Sequence, residues 1–156
     1  MKRLKIAIPA VVAAGGCALI LAVSGDAQAP AGTTIELKEI EGPSTNIDNA
    51  PKKKFSQGDS FVFKNKLQTP SGEAAGTDGG TCVAFDASKK GGAVTCNVSL
   101  LLHDGTISVA GPIKFTQGRN FDAAVVGGTG AYEGANGSMH VVEHRDSADL
   151  TVHLLP

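Results

Sequence analysis

The stretch VTCNVSLLLHDGTISVAGPIKF, residues 94–115, decides the fold. Val94, Cys96, Val98, Leu100 and Leu102 fall on one face of an extended chain, because successive side chains of a strand point to opposite faces. His103-Asp104-Gly105-Thr106 then marks a tight hairpin, since Asp-Gly readily takes the positive φ angles that two-residue turns require. Beyond it Ile107, Val109, Ile113 and Phe115 resume the alternation, with Gly111-Pro112 predicting a bulge or bend in the ladder.

The same period of two runs through the rest of the chain. Ile35, Leu37, Glu39 and Glu41 share a face, and so do Phe61, Phe63, Asn65 and Leu67. Gly76-Thr77-Asp78-Gly79-Gly80 reads as a turn that leads into a strand over 81–86, and Lys89-Lys90-Gly91-Gly92 reverses the chain into the strand that begins at Val94. Phe121 to Val126, Ser138 to His144 and Asp149 to Leu155 complete eight strands, the last with Leu150, Val152 and Leu154 inward. Residues 42–60, with Pro, Gly, Asn, Ser and the Lys52-Lys53-Lys54 run, read as one long surface loop. Eight short antiparallel strands at regular spacing predict an all-β fold, an eight-stranded antiparallel β-barrel, since closure removes exposed edges. A barrel of that size is filled by side chains or holds one small ligand. Six Phe, one Tyr and no Trp leave few rings to plug it, so a cavity is expected.

With 156 residues the chain is the size of one domain. Twenty glycines and seven prolines fit a turn-rich β domain, and 42% hydrophobic residues are too many for a disordered chain. Fourteen Lys and Arg against fifteen Asp and Glu carry no basic footprint, which sets nucleic acid aside as a partner.

Residues 1–29 read separately. Lys2, Arg3 and Lys5 precede an apolar run from Ile6 to Val23, followed by small residues and Ala27-Gln28-Ala29, the pattern of a secretory signal peptide cleaved near residues 25–29. The alternative is a short membrane anchor, which Pro9, Gly15 and Gly16 disfavour. Gly15-Gly16-Cys17 also resembles a lipoprotein box, although Ala14 stands where Leu is expected; lipidation at Cys17 would hold the secreted domain at a membrane. The expectation is a secreted domain over residues 30–156.

Cys82 and Cys96 remain in the mature chain, near the two ends of one predicted hairpin. In an oxidising exterior they make a plausible disulfide, worth about 3 kcal/mol for a loop of this length; the competing reading keeps Cys82 as a functional thiol. His103, His140, His144 and His153 suggest a metal by number alone. His140 and His144 would lie about 13 Å apart along a strand, too far to converge on ligand bonds of about 2 Å, so no metal and no cofactor is expected.

Two polar side chains sit on apolar faces, Glu39 and Asn65. A carboxylate placed there costs several kcal/mol unless it finds a partner or stays protonated, so Glu39 should have a raised pKa or a function.

Val125-Val126-Gly127-Gly128-Thr129-Gly130-Ala131-Tyr132-Glu133-Gly134-Ala135-Asn136-Gly137 reads first as glycines that turn the chain between strands. It resembles the GGTG-x-(F/Y)-x-G-x-x-G signature of plant allene oxide cyclases and the related dirigent proteins. Gly58-Asp59-Ser60, Phe63-Lys64-Asn65-Lys66-Leu67, Gly80-Thr81-Cys82-Val83 and His103 to Pro112 match in the same order, so the resemblance covers about residues 33 to 145. It implies a lipocalin-like barrel, trimeric in the plant enzymes, with a glutamate, an asparagine and a cysteine lining the cavity at the positions of Glu39, Asn65 and Cys82. Glu41 stands where a further asparagine would be.

The implied activity is that of an isomerase, an intramolecular cyclase that folds an unstable epoxide. Asn65, or a water it holds, contacts the epoxide oxygen, and Glu39 stabilises developing positive charge. Phe61, Phe63, Leu67, Cys82, Val98 and Leu100 would face the small apolar molecule. The alternatives are a non-catalytic dirigent-like carrier and a structural secreted protein whose barrel is filled by its own side chains.

Overall fold

A computed structural model describes residues 32–49, 54–89 and 91–156. The leader and Cys17 lie outside the described residues.

Among the described residues nine strands run in chain order: β1 (Thr34–Ile40), β2 (Ser44–Ile47), β3 (Ser60–Gln68), β4 (Ala74–Asp86), β5 (Ala93–Leu102), β6 (Gly105–Lys114), β7 (Asn120–Gly130), β8 (Gly137–Glu143) and β9 (Ser147–Leu154), with a 3-10 turn at Phe115–Gln117. Each strand from β3 to β8 pairs antiparallel with the next. The sheet closes because β1 pairs with both β9 (Leu37 opposite Leu150) and β3 (Glu39 opposite Leu67). The result is the expected eight-stranded antiparallel barrel, with β2 as an added strand.

β2 lies inside the segment expected to be a loop. β1 covers only one part of β3, pairing Ile40 with Lys66; β2 then covers the rest, from Ser44 opposite Phe63 to Ile47 opposite Ser60. The two behave as one strand broken at Glu41-Gly42-Pro43. All four residues of β2 are exposed, so no hydrophobic alternation announces it.

At Gly111-Pro112 β6 stays paired with β5 and continues to Lys114, with Pro112 opposite Thr95, so the expected interruption falls only on the ladder with β7. The pairing of β6 with β7 ends at Ala110 opposite Ala124, so no partner on that side calls on a Pro112 N–H. The irregularity sits earlier, between Ser108 and Val109. The glycines at 127, 128 and 130 belong to β7 rather than to a turn, and the chain turns only after Gly130. A Cβ at Gly128 would lie 2.2 Å from the Tyr132 carbonyl oxygen, so it is close packing under the following turn that requires glycine.

The inner faces are those the alternation predicts, but the barrel is filled at one end only. Leu67, Leu100, Ile107 and Val152 are fully buried there, joined by Leu37, Leu150 and Leu154. A second, smaller cluster of Cys82, Ala84, Val94 and Cys96 occupies the wall at the other end, with Phe61, Phe63, Val98 and Ile113 packed against it.

Candidate functional site

Between the two clusters lies a cavity of about 400 Å³, within the range of small-ligand sites. Its apolar wall includes Phe61, Phe63, Val98, Ile113, Phe121 and Met139. The Cys82–Cys96 disulfide forms part of the same wall. The two cysteines lie directly opposite each other on β4 and β5, and neither is a free thiol. The polar end is formed by Glu39, Asn65 and Asp78.

Each polar residue arrives there by strand parity. Glu39 follows Ile35 and Leu37 on the inner face of β1, and Asn65 sits between Phe63 and Leu67 on β3. Asp78 is directly opposite Asn65 on β4 and is 2% exposed. The expected turn over 76–80 is in fact the first half of β4, which begins at Ala74. Three glycines and an aspartate suggested a reversal, whereas counting back by twos from Ala84 and Cys82 through Gly80 leads inward to Asp78. That parity was the one sequence signal for the third member of the cluster. Glycine suits this strand because inner positions without side chains leave room against neighbouring backbone.

Asn65 is fixed by the break between β1 and β2. Its Oδ1 accepts a hydrogen bond from the Gly42 N–H at 2.9 Å, which points the amide nitrogen the other way, toward Glu39 and Asp78. The Glu39 carboxyl is pushed up to about 8, chiefly by burial. The hydrogen bond and the charge of Asp78 and the charge of Glu143 contribute to that rise, against a lowering hydrogen bond from Asn65. Asp78 is also raised, again chiefly by burial, with its hydrogen bonds to Glu39 and Asn65 opposing. The pair therefore retains a proton at neutral pH, and Glu39 is a neutral acid there. A protonated carboxyl donates a proton or a hydrogen bond, whereas the expected stabilisation of positive charge calls for the carboxylate.

Phe61, Phe63, Cys82 and Val98 stand on the cavity wall. Leu67 and Leu100 do not: they are 1% and 0% exposed and belong to the filled end. Both lie on the inner face, but Leu67 is two residues beyond Asn65 and Leu100 is opposite Asp78, the level at which the barrel closes over with leucine and isoleucine. Glu41 borders the cavity at the strand break, while Glu143 and Arg145 border it from the β8–β9 connection. The histidines are engaged separately: His140 with Asp122 at 2.7 Å, His144 with Asp149 at 2.8 Å, His153 with Thr34 at 3.0 Å and His103 with the Ala74 carbonyl at 3.2 Å.

Solved structures with the same architecture include a pyocyanin demethylase, at 23% identity and a TM-score of 0.70, covering 78% of this chain and 99% of that one. An exo-specific intermolecular Diels-Alderase follows at 17% identity and TM-score 0.62, over 80% and 98% of the two chains. A pterocarpan synthase dirigent protein has 16% identity and TM-score 0.61, over 80% and 88%. The sequence matches none of the curated proteins with which it was compared. Residues 38–154 match the allene oxide cyclase barrel like domain, and because that span takes in the whole barrel apart from the start of β1, the chain belongs to that family.

Proposed function

We propose that this barrel is an exported isomerase, an intramolecular cyclase that holds a small reactive molecule of largely apolar body and steers its ring closure. The observation that carries the reading is the Glu39–Asn65–Asp78 cluster set beside the aromatic wall of a cavity of about 400 Å³. On binding, the Glu39 proton turns from Asp78 to an oxygen of the bound molecule, and the Asn65 amide, held by Gly42, keeps Glu39 and Asp78 in register. Charge that develops on the reacting oxygen is met by a proton donor placed in advance. Phe61, Phe63, Phe121 and Met139 supply the surface that folds the body of the ligand into a reactive conformer. Ring-forming and coupling enzymes are among the barrels of this fold, as the names Diels-Alderase and pterocarpan synthase state, which supports guided ring closure as its use here. Homotrimeric assembly, expected from the family, belongs to the same proposal.

A dirigent-like carrier is the second reading, favoured by the apolar character of most of the cavity wall. The two separate in one experiment. The protein and its Glu39→Gln variant are exposed to an extract of their own culture medium and examined by native mass spectrometry. A molecule that the wild type converts and the variant retains unchanged supports the cyclase. Retention without conversion by both identifies a carrier, and no retention by either overturns both readings.

A further inference from the structure

Asp78 carries an unmet demand. Its Oδ1 is buried and finds no hydrogen-bond partner among the described residues, although Asp78 stands on the cavity wall. A buried acceptor without a partner costs about 1–3 kcal/mol, more if charged, so such groups are found where something else supplies the donor. An epoxide or ether oxygen cannot do so, having no proton to give. The rim repeats the preference, because among the described residues Glu41 and Glu143 border the cavity beside a single arginine, Arg145, while His144 is held by Asp149 at 2.8 Å. The remaining wall is aromatic rings, a methionine sulfur and a disulfide, polarisable surfaces that suit a flat cation.

We infer that the cavity selects a planar ring system bearing a protonated, N–H-carrying nitrogen, with that nitrogen directed to the Asp78 carboxylate, which turns its unpartnered oxygen to the ligand, and the rings lying between Phe61, Phe63 and Met139. This rests on the reading of the cavity as a ligand site and adds the ligand's charge and hydrogen-bonding sense. Asp78 is then a binding residue distinct from Glu39, and the ligand N–H takes over from the Glu39 proton as a donor to Asp78.

Three fluorescent tricycles of similar shape test it at neutral pH: 9-aminoacridine, which is protonated, 9-anthracenemethanol, which is neutral, and 9-anthracenecarboxylate, which is anionic. Titration of the full chain, followed by fluorescence anisotropy, is expected to rank them in that order, with at least a tenfold preference for the cation over the neutral isostere. Asp78→Asn should bring the cation to within about twofold of the neutral compound. Should that variant fail to fold, Glu143→Gln reads the rim contribution alone, with a two- to threefold loss for the cation and none for the alcohol. Equal or tighter binding of the alcohol or the carboxylate overturns the inference and leaves the cavity a ligand site. Failure of all three to bind overturns the ligand-site reading as well.

Discussion

The Gly42 N–H donates to Asn65 Oδ1 across 2.9 Å, and this single bond ties the gap between β1 and β2 to the polar end of the cavity. The chain leaves the barrel wall at Glu41-Gly42-Pro43, so Gly42 has no ladder partner and the side chain opposite supplies one. Asn65→Ala should therefore cost about 1–3 kcal/mol, because it orphans a backbone donor and removes the amide beside Glu39 and Asp78. Gly42→Ala should also destabilise, since its Cβ would lie 2.1 Å from the Lys64 carbonyl oxygen. Denaturant unfolding of both variants reads the effect, and wild-type midpoints would remove this bond from the account.

Stability should fall as pH rises. Unfolded Glu39 loses its proton near 4.5 and folded Glu39 near 8, so between these values the folded state binds more protons than the unfolded one. The stabilisation is complete below the lower value and is lost as pH passes the upper one, in total of order a few kcal/mol. Asp78 is displaced in the same direction and adds to the trend. Thermal melts at pH 5.5, 7 and 9 should show a decline that Glu39→Gln largely removes. A flat profile for the wild type would contradict the burial assigned to this carboxyl.

Reduction should weaken the barrel without opening it. The Cys82–Cys96 bond closes a loop with a sequence separation of 14, for which chain entropy predicts about 3 kcal/mol. The cross-strand pair is also held by the continuous β4–β5 ladder, so the strands stay paired once the bond is gone. A double Cys→Ser variant should lose several degrees of Tm while keeping its β circular-dichroism spectrum.

Two inward apolar residues should respond differently to truncation. Leu100 is 0% exposed within the filled end, so Leu100→Ala should cost about 2–5 kcal/mol. Phe63 faces an existing cavity, and Phe63→Ala enlarges it and removes part of the wall at a smaller cost. Ligand retention by native mass spectrometry should show the opposite ranking, with Phe63→Ala losing more than Leu100→Ala. The reverse order would move the cavity toward the leucine end.

Alternation alone was enough to place Glu39 and Asn65 on the inner face with Phe61, Phe63 and Leu67. Period two is local geometry, and it holds in whatever sheet the strand joins. The same rule, carried back through the glycines before Thr81, would have reached Asp78, but turn propensity at Gly76 to Gly80 pointed to a reversal instead. Propensity lost because β4 is paired along its length on both sides, and those ladder bonds outweigh the weak local preference of glycine for turns. β2 was hidden for a related reason: a fully exposed strand has no apolar period, and only the free edge of β3 creates it.

The sequence by itself determined an all-β chain, the faces of its strands, the family signature and two of the three polar residues, since each depends on the order of neighbouring side chains. Tertiary structure alone decided where the barrel is filled and where it is hollow, which is why Leu67 and Leu100 are core while Phe61 and Phe63 are wall. It alone set Asp78 opposite Asn65, brought Glu39 to both and raised the carboxyl pair. Closure and register depend on contacts between residues far apart in sequence, and burial, which governs the protonation of Glu39 and Asp78, exists only once those contacts are made.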